Sequence, residues 1–115
     1  MANFVHTNHD GIVWHNAGRV NRHSGPTADS NTVIDTINAN QPVTVLCYSH
    51  GDTQSFTAPD GHTYTSDAWD FVVTSDQDAG GFVNDVHINT GGDIRKQLPV
   101  TCSVLAQRLQ RQSSV

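Results

Sequence analysis

Seven histidines and eleven aspartates, with no glutamate, are the side chains of this 115-residue chain that could bind a metal or move a proton. The only close histidine pair is His6-x-x-His9, followed by Asp10. Zinc needs three or four ligands held together, and no cysteine lies nearby to complete a set, so solvated histidines and no metal are expected. Asp76-x-Asp78-x-Gly80-Gly81 has the opening spacing of a calcium loop, including the glycine at its sixth position. The twelfth position is His87, which cannot supply the bidentate carboxylate that closes such a loop. A plain turn is expected there.

Ser49-His50-Gly51-Asp52 puts a nucleophile, a base and an acid side by side. A triad needs those groups to converge in space beside oxyanion donors, and neighbours along one turn do not. No spacing singles out a pair of aspartates for acid–base work. Gly80-Gly81 and Gly91-Gly92 lack the strand–loop–helix setting that cradles phosphate. Neither an enzyme nor a cofactor is expected. Recognition is the chemistry that remains. Seven aromatic residues between Trp14 and Phe82 are too many for so small a core. Trp and Tyr offer an apolar body with a polar tip, which suits a shallow peptide groove. Tyr48, Tyr64, Trp69 and the adjacent Asp70 are the candidate ligand contacts. Tyr64 lies in a polar stretch and is expected to be exposed, whereas Trp69 is either groove or core.

The elements that must position these groups are strands. Thirteen Val, five Ile and twelve Thr stand against four Leu and one Met, a balance that favours the pleated sheet. The many Asp and Asn suit polar turns, because their short side chains bond the local backbone. Residues 1–10 read as a polar arm, and Gly11 to Val20 as a first strand pair broken near Asn16-Ala17-Gly18. A turn at His23-Ser24-Gly25-Pro26 precedes a strand over Thr32 to Ile37, and Asn38 to Pro42 is the next turn. Val43 to Tyr48 is the clearest strand, with Val43, Val45 and Cys47 alternating onto one face. Residues 49–67 read as a long loop or loose hairpin around Pro59-Asp60-Gly61. Further strands follow at Ala68 to Thr74 and Gly81 to Asn89. The segment from Ser103 to Arg111 differs in kind, with good helix formers, a serine at the cap and Leu105 and Leu109 one turn apart.

Length allows one domain, and the longest apolar run is far too short for a membrane span. The net charge is −5, and Arg95, Lys96, Arg108 and Arg111 cluster toward the C-terminus. Nucleic acid is not expected as a partner, since no basic face is visible. The first ten residues have neither the basic nor the apolar region of a signal peptide. Cys47 and Cys102 are too far apart for a short metal or redox motif, and are compatible with a disulfide or with two buried thiols.

Five pieces carry a family resemblance. Val20-Asn21-Arg22-His23-Ser24-Gly25-Pro26 is similar to the LNVRSGPS signature that opens bacterial SH3-type domains. Val33-Ile34, Val43 to Tyr48, Trp69-Asp70-Phe71-Val72 and Gly81-Phe82-Val83-Asn84-Asp85 follow in the family's order. The variety it most resembles is that of secreted actinobacterial proteins, in which a Cys after the third strand matches one at the end. The resemblance covers roughly residues 11–102, with residues 1–10 and 103–115 outside it. It departs at Asn38-Ala39-Asn40-Gln41, where a Gly-containing turn is usual, and in the longer 49–67 stretch.

The resemblance implies an all-β fold, a small SH3-like barrel, to which the residues outside it add an N-terminal arm and a short C-terminal helix. It also implies a Cys47–Cys102 disulfide, worth about 4 kcal/mol for a loop of that size in the chain-entropy model. The expected function is a non-catalytic binding module for a cell-envelope ligand, a peptidoglycan peptide or glycan. The alternative is a structural component of a phage virion, a capsid decoration or tail protein. In that case Leu105 and Leu109 make assembly contacts with other copies or with capsid or tail proteins. Either reading places the protein outside the cell or on a virion.

Overall fold

A computed structural model describes residues 8–75, 80–98 and 101–113, with side chains described as far as Arg108 in the last stretch. His6, the calcium-like Asp76 and Asp78, and the side chain of Leu109 lie outside the described residues. The strands are β1 (His9–Val13), β2 (Val20–His23), β3 (Val33–Ile37), β4 (Pro42–Thr57), β5 (Thr63–Val73), β6 (Gly81–Asn84) and β7 (Ile88–Asn89). Two helices follow, α1 (Ile94–Gln97) and α2 (Cys102–Ser113). The strands form one antiparallel sheet in the order β3-β2-β6-β5-β4-β1-β7, rolled into a half-barrel. The protein is therefore all-β, as its Val, Ile and Thr content favours.

Local chemistry explains where the elements depart from simple pattern reading. β1 and β2 do not pair with each other. β1 lies between β4 and β7, and β2 between β3 and β6. Two residues expected in the arm, His9 and Asp10, stand in β1 opposite Val45 and Thr44. Most of the polar 49–67 stretch is strand. β4 runs on to Thr57, and hydroxyl pairs Ser55–Thr65 (2.7 Å) and Thr57–Thr63 (2.8 Å) join it to β5. Threonine supplies β-branching together with a cross-strand hydrogen bond, so the exposed face of the hairpin is lined by hydroxyls, while Phe56 and Tyr64 pair on its other face. Its turn closes with Ala58 N–H donating to His62 O at 2.9 Å and with Gly61 at φ 84°.

A bulge overturns the expected alternation in β4. Val45 pairs with Val72, but Cys47 pairs with Phe71, so Leu46 is an extra residue in the ladder. One inserted residue exchanges the two faces of a strand. Val43 and Val45 therefore join the main core with Val13, Ile37, Val72 and Val83, while Cys47 joins a second cluster with Leu105. That second cluster lies beneath α2, which a Cys47–Cys102 disulfide fastens to β4. Ile94 and Leu98, at the two ends of α1, complete the main core.

The segment Val20–Pro26 is held by Arg22. This residue is fully buried, donates to Asp35 through Nε (2.6 Å) and Nη2 (2.5 Å), and donates to the Val72 carbonyl through Nη1 (3.2 Å). The fork matches a carboxylate in a way lysine could not. Nearby, Gly51 allows the outer hairpin to touch the loop after β2, since a Cβ there would fall 1.8 Å from the Pro26 carbonyl oxygen.

Candidate functional site

A cleft of about 420 Å³ opens between the outer β4–β5 hairpin and the segment 85–95. One wall is aromatic. Trp14, just after β1, and Tyr64, on β5, have ring centroids 6.3 Å apart and planes within 19° of parallel. The indole comes from a loop tied down at both walls: Trp14 N–H donates to His87 O (3.3 Å), and Asn16 Nδ2 donates to Thr57 O (3.0 Å). Tyr64 donates its hydroxyl to Asp60 Oδ2 at 3.2 Å, and His62 packs on its ring at 4.4 Å. Desolvation and the Asp60 carboxylate both hold the phenol's proton on, raising its pKa.

The opposite wall is a chain of capped turns. Asn84 caps the 3₁₀ turn Asp85–His87 by accepting from Val86 N–H at 3.1 Å. Gly91 (φ 86°) and Gly92 (φ 149°) take left-handed conformations that carry the chain into α1. Asp93 caps α1 by accepting from Arg95 N–H at 3.0 Å, and its carboxylate also binds the Arg95 guanidinium at 2.7 Å. Those hydrogen bonds hold Asp93 below the usual carboxylate range. Arg95 reaches Asp67 as well, at 3.4 Å.

Behind this wall lies a buried carboxyl pair. Asp70 is 0% exposed on the core face of β5, between Ala68 and Val72. Taken as a carboxylate, it finds no donor for either oxygen. Taken as a carboxylic acid, it donates to Asp85, which lines the cleft and accepts from Ile94 N–H at 3.3 Å. Thr90 Oγ1 is 3.5 Å from Asp85, but its one proton has a closer acceptor in the Gly92 carbonyl at 2.8 Å. Burial first, then the neighbouring Asp85 and Asp93, push Asp70 well above the carboxylate range. Burial also raises Asp85, partly offset by the proton from Asp70 and by Ile94 N–H.

The expected ligand contacts are dispersed. Tyr64 lines the cleft, half-buried where exposure was expected. Tyr48 is half-buried against the main core, with His50 edge-on to its ring. Trp69 is 1% exposed and belongs to the interior: its indole N–H donates to Asp52 O at 2.8 Å, and His23 packs edge-on against it. Asp70 sits behind the cleft wall, out of reach of solvent. Leu105 is covered by its own chain, against Cys47 and Phe71, so its side chain contributes to the fold in place of the expected assembly contact. The site residues that sequence reasoning missed are Trp14, Asp60, Asp85 and Arg95. One signal was available, an aspartate interrupting the apolar Ala68-x-Asp70-x-Val72 stripe, which requires a partner inside the barrel.

A second hollow of about 270 Å³ lies between Arg19, Phe56 and His87. His87 packs edge-on to Phe56 and hydrogen-bonds Gln54 at 3.2 Å, and burial lowers its pKa. No family model, curated protein or solved structure matches the chain.

Proposed function

We propose that this chain is a non-catalytic binding module whose ligand lies in the cleft between the outer hairpin and the segment 85–95. The observation that carries this reading is the near-parallel Trp14–Tyr64 pair facing capped backbone turns and carboxyl groups across about 420 Å³. That volume lies within the range of small-ligand sites, roughly 300–1,000 Å³, which combine apolar walls with a few placed polar groups. A cell-envelope ligand, a peptidoglycan peptide or glycan, follows from the resemblance to bacterial SH3-type domains. The disulfide is compatible with an oxidising, extracellular location. Among the described residues no helix is long and apolar enough to cross a membrane.

The test is co-sedimentation with purified actinobacterial cell walls. Saturable binding is expected, weakened about tenfold or more by Trp14→Ala or Tyr64→Ala. Failure to bind any wall tested overturns the envelope reading. Trp69→Ala is no probe of the groove, because it removes an interior side chain. A second reading, a virion component, is favoured by a different observation. Val33 (36% exposed) and Ile34 (48%) lie on β3, an outer strand of the sheet among the described residues.

A further inference from the structure

The second hollow has the opposite charge character from the cleft. Asp60, Asp85 and Asp93 line the cleft, whereas no carboxylate lines the hollow, in a chain of net charge −5. The hollow opens where two strands part. β2 and β6 share one register pair, His23 with Phe82, and the residues that would continue that ladder, Asn21 and Asn84, line the hollow instead. Arg19, just before β2, lines it too. Its side chain is exposed and makes no ion pair or hydrogen bond among the described residues. His23 is 6% exposed, and Trp69 packs edge-on to its ring at 5.5 Å. The Thr32 hydroxyl gives its one proton to the Asp29 carbonyl at 2.6 Å, so it accepts from His23 Nδ1 at 2.8 Å. The neutral ring then carries its lone pair on Nε2, which has no partner among the described residues. On β4, the Gln54 carbonyl oxygen accepts from His87 Nε2 at 3.2 Å, which leaves both amide protons of Gln54 unspent.

We propose that this hollow binds the phosphate group of a phosphate monoester, its ionised oxygens held by the Arg19 guanidinium and the Gln54 amide and its O–H donated to His23 Nε2. The free lone pair selects the class. A fully ionised carboxylate or sulfonate brings only oxygen lone pairs to Nε2, and the two repel. A phosphate monoester near neutral pH presents an O–H together with ionised oxygens, because its second ionisation falls at about pH 6. The guanidinium fork suits two phosphate oxygens at once. The donors come from the loop before β2 and from β4, and the acceptor from β2, which suits a tetrahedral group better than a planar one. Phe56 also lines the hollow and offers a face to the organic part of the ester. The hollow shares no lining residue with the aromatic cleft, so phosphate binding there goes beyond the proposed function and stands without it.

Titration of the full chain with phenyl phosphate at neutral pH, followed by proton–nitrogen NMR, tests this. Saturable shifts are expected at Arg19, His23 and Gln54. Arg19→Ala, a change at an exposed side chain, should weaken binding by about tenfold or more, the scale of one lost charge-assisted hydrogen bond. Benzenesulfonate has a similar shape but no O–H to give, and should bind several-fold more weakly. His23→Asn keeps a donor toward Thr32 and removes Nε2, so it should weaken phenyl phosphate and bring the two ligands level. If His23→Asn does not fold, the Arg19→Ala loss and the benzenesulfonate comparison decide. Shifts that rise linearly with ligand, unchanged binding by Arg19→Ala, or benzenesulfonate bound as tightly as phenyl phosphate overturns the proposal. Trp14→Ala and Tyr64→Ala should leave phenyl phosphate binding unchanged. A loss in either would place the ligand in the cleft and overturn the proposal as well.

Discussion

Burial of the Asp70 carboxyl between Ala68 and Val72 disfavours its charged form, and the Asp85 carboxyl beside it disfavours that form further. The folded state therefore binds its proton more tightly than the unfolded chain does. The resulting stabilisation is complete below the ordinary carboxylate range and is lost as pH rises through the raised value of the folded pair. Asp52 acts in the opposite sense. Its carboxylate accepts from Ala28 N–H (2.9 Å) and Thr27 Oγ1 (2.8 Å), which lowers its pKa, so its contribution is lost as pH falls. The unfolding temperature of the unaltered protein is expected to decline from mildly acidic toward alkaline pH. Asp70→Asn should flatten that decline, since an amide can donate to Asp85 at every pH. Parallel pH profiles for the two proteins would show that Asp70 carries no linked proton. Trp69 poses a simpler question at this scale. Its removal leaves a large void and takes the closer of two donors from the Asp52 carbonyl, so Trp69→Ala should cost about 3–5 kcal/mol in denaturant unfolding. A loss below about 1 kcal/mol would mean that the side chain is not core.

At the scale of elements, the β4–β5 hairpin is the organising unit. Its inner half supplies core valines, and its outer half carries Tyr64 and the turn that bounds the cleft. The bulge at Leu46 lets one strand serve two clusters, one inside the barrel and one beneath α2. The helix adds only Leu105 and Val104 to its packing among the described side chains, a small apolar contact for a 12-residue element. The Cys47–Cys102 bond ties its first turn to β4. Reduction should lower stability by about 4 kcal/mol on the chain-entropy account, read as a shift in urea midpoint with and without reductant. The helix signal in the circular dichroism spectrum should fall before the sheet signal. A single transition at an unchanged midpoint would show that packing alone holds α2.

At the scale of the whole molecule, the sheet is a half-barrel with β3 and β7 as its outer strands. β7 is only two residues long, which gives an added strand little to pair with. β3 is longer and places Ile34 in solvent, the kind of edge along which copies associate. If the molecule works in an assembly, sedimentation velocity should show concentration-dependent growth that Ile34→Lys abolishes. A monomer at all concentrations argues for the cleft as the principal contact.

Strand content, the hairpin turn at Pro59-Asp60-Gly61 and the C-terminal helix were legible in the sequence, because each depends on residues adjacent along the chain. β-Branched residues favour extended backbone, an Asp-Gly step favours a tight turn, and Leu105 one helical turn from Leu109 favours a helix. The Cys47–Cys102 bond came from a resemblance, and spacing alone left it open. Tertiary structure decided the rest. It alone showed that β1 pairs with β4 and not with β2, since register depends on residues far apart in sequence. The extra residue at Leu46 is visible only against the strand opposite, so the side facing of Cys47 could not be read from alternation. Tyr64 and Trp69 are both ligand candidates in the sequence, the first expected to be exposed and the second left as groove or core. The interior took Trp69 because Asp52 offered its indole N–H an acceptor, while Tyr64, beside Trp14 on the cleft wall, stayed half in solvent. The pairing of Asp70 with Asp85 joins residues of different elements in a low-dielectric interior, where a local pattern carries no information about charge.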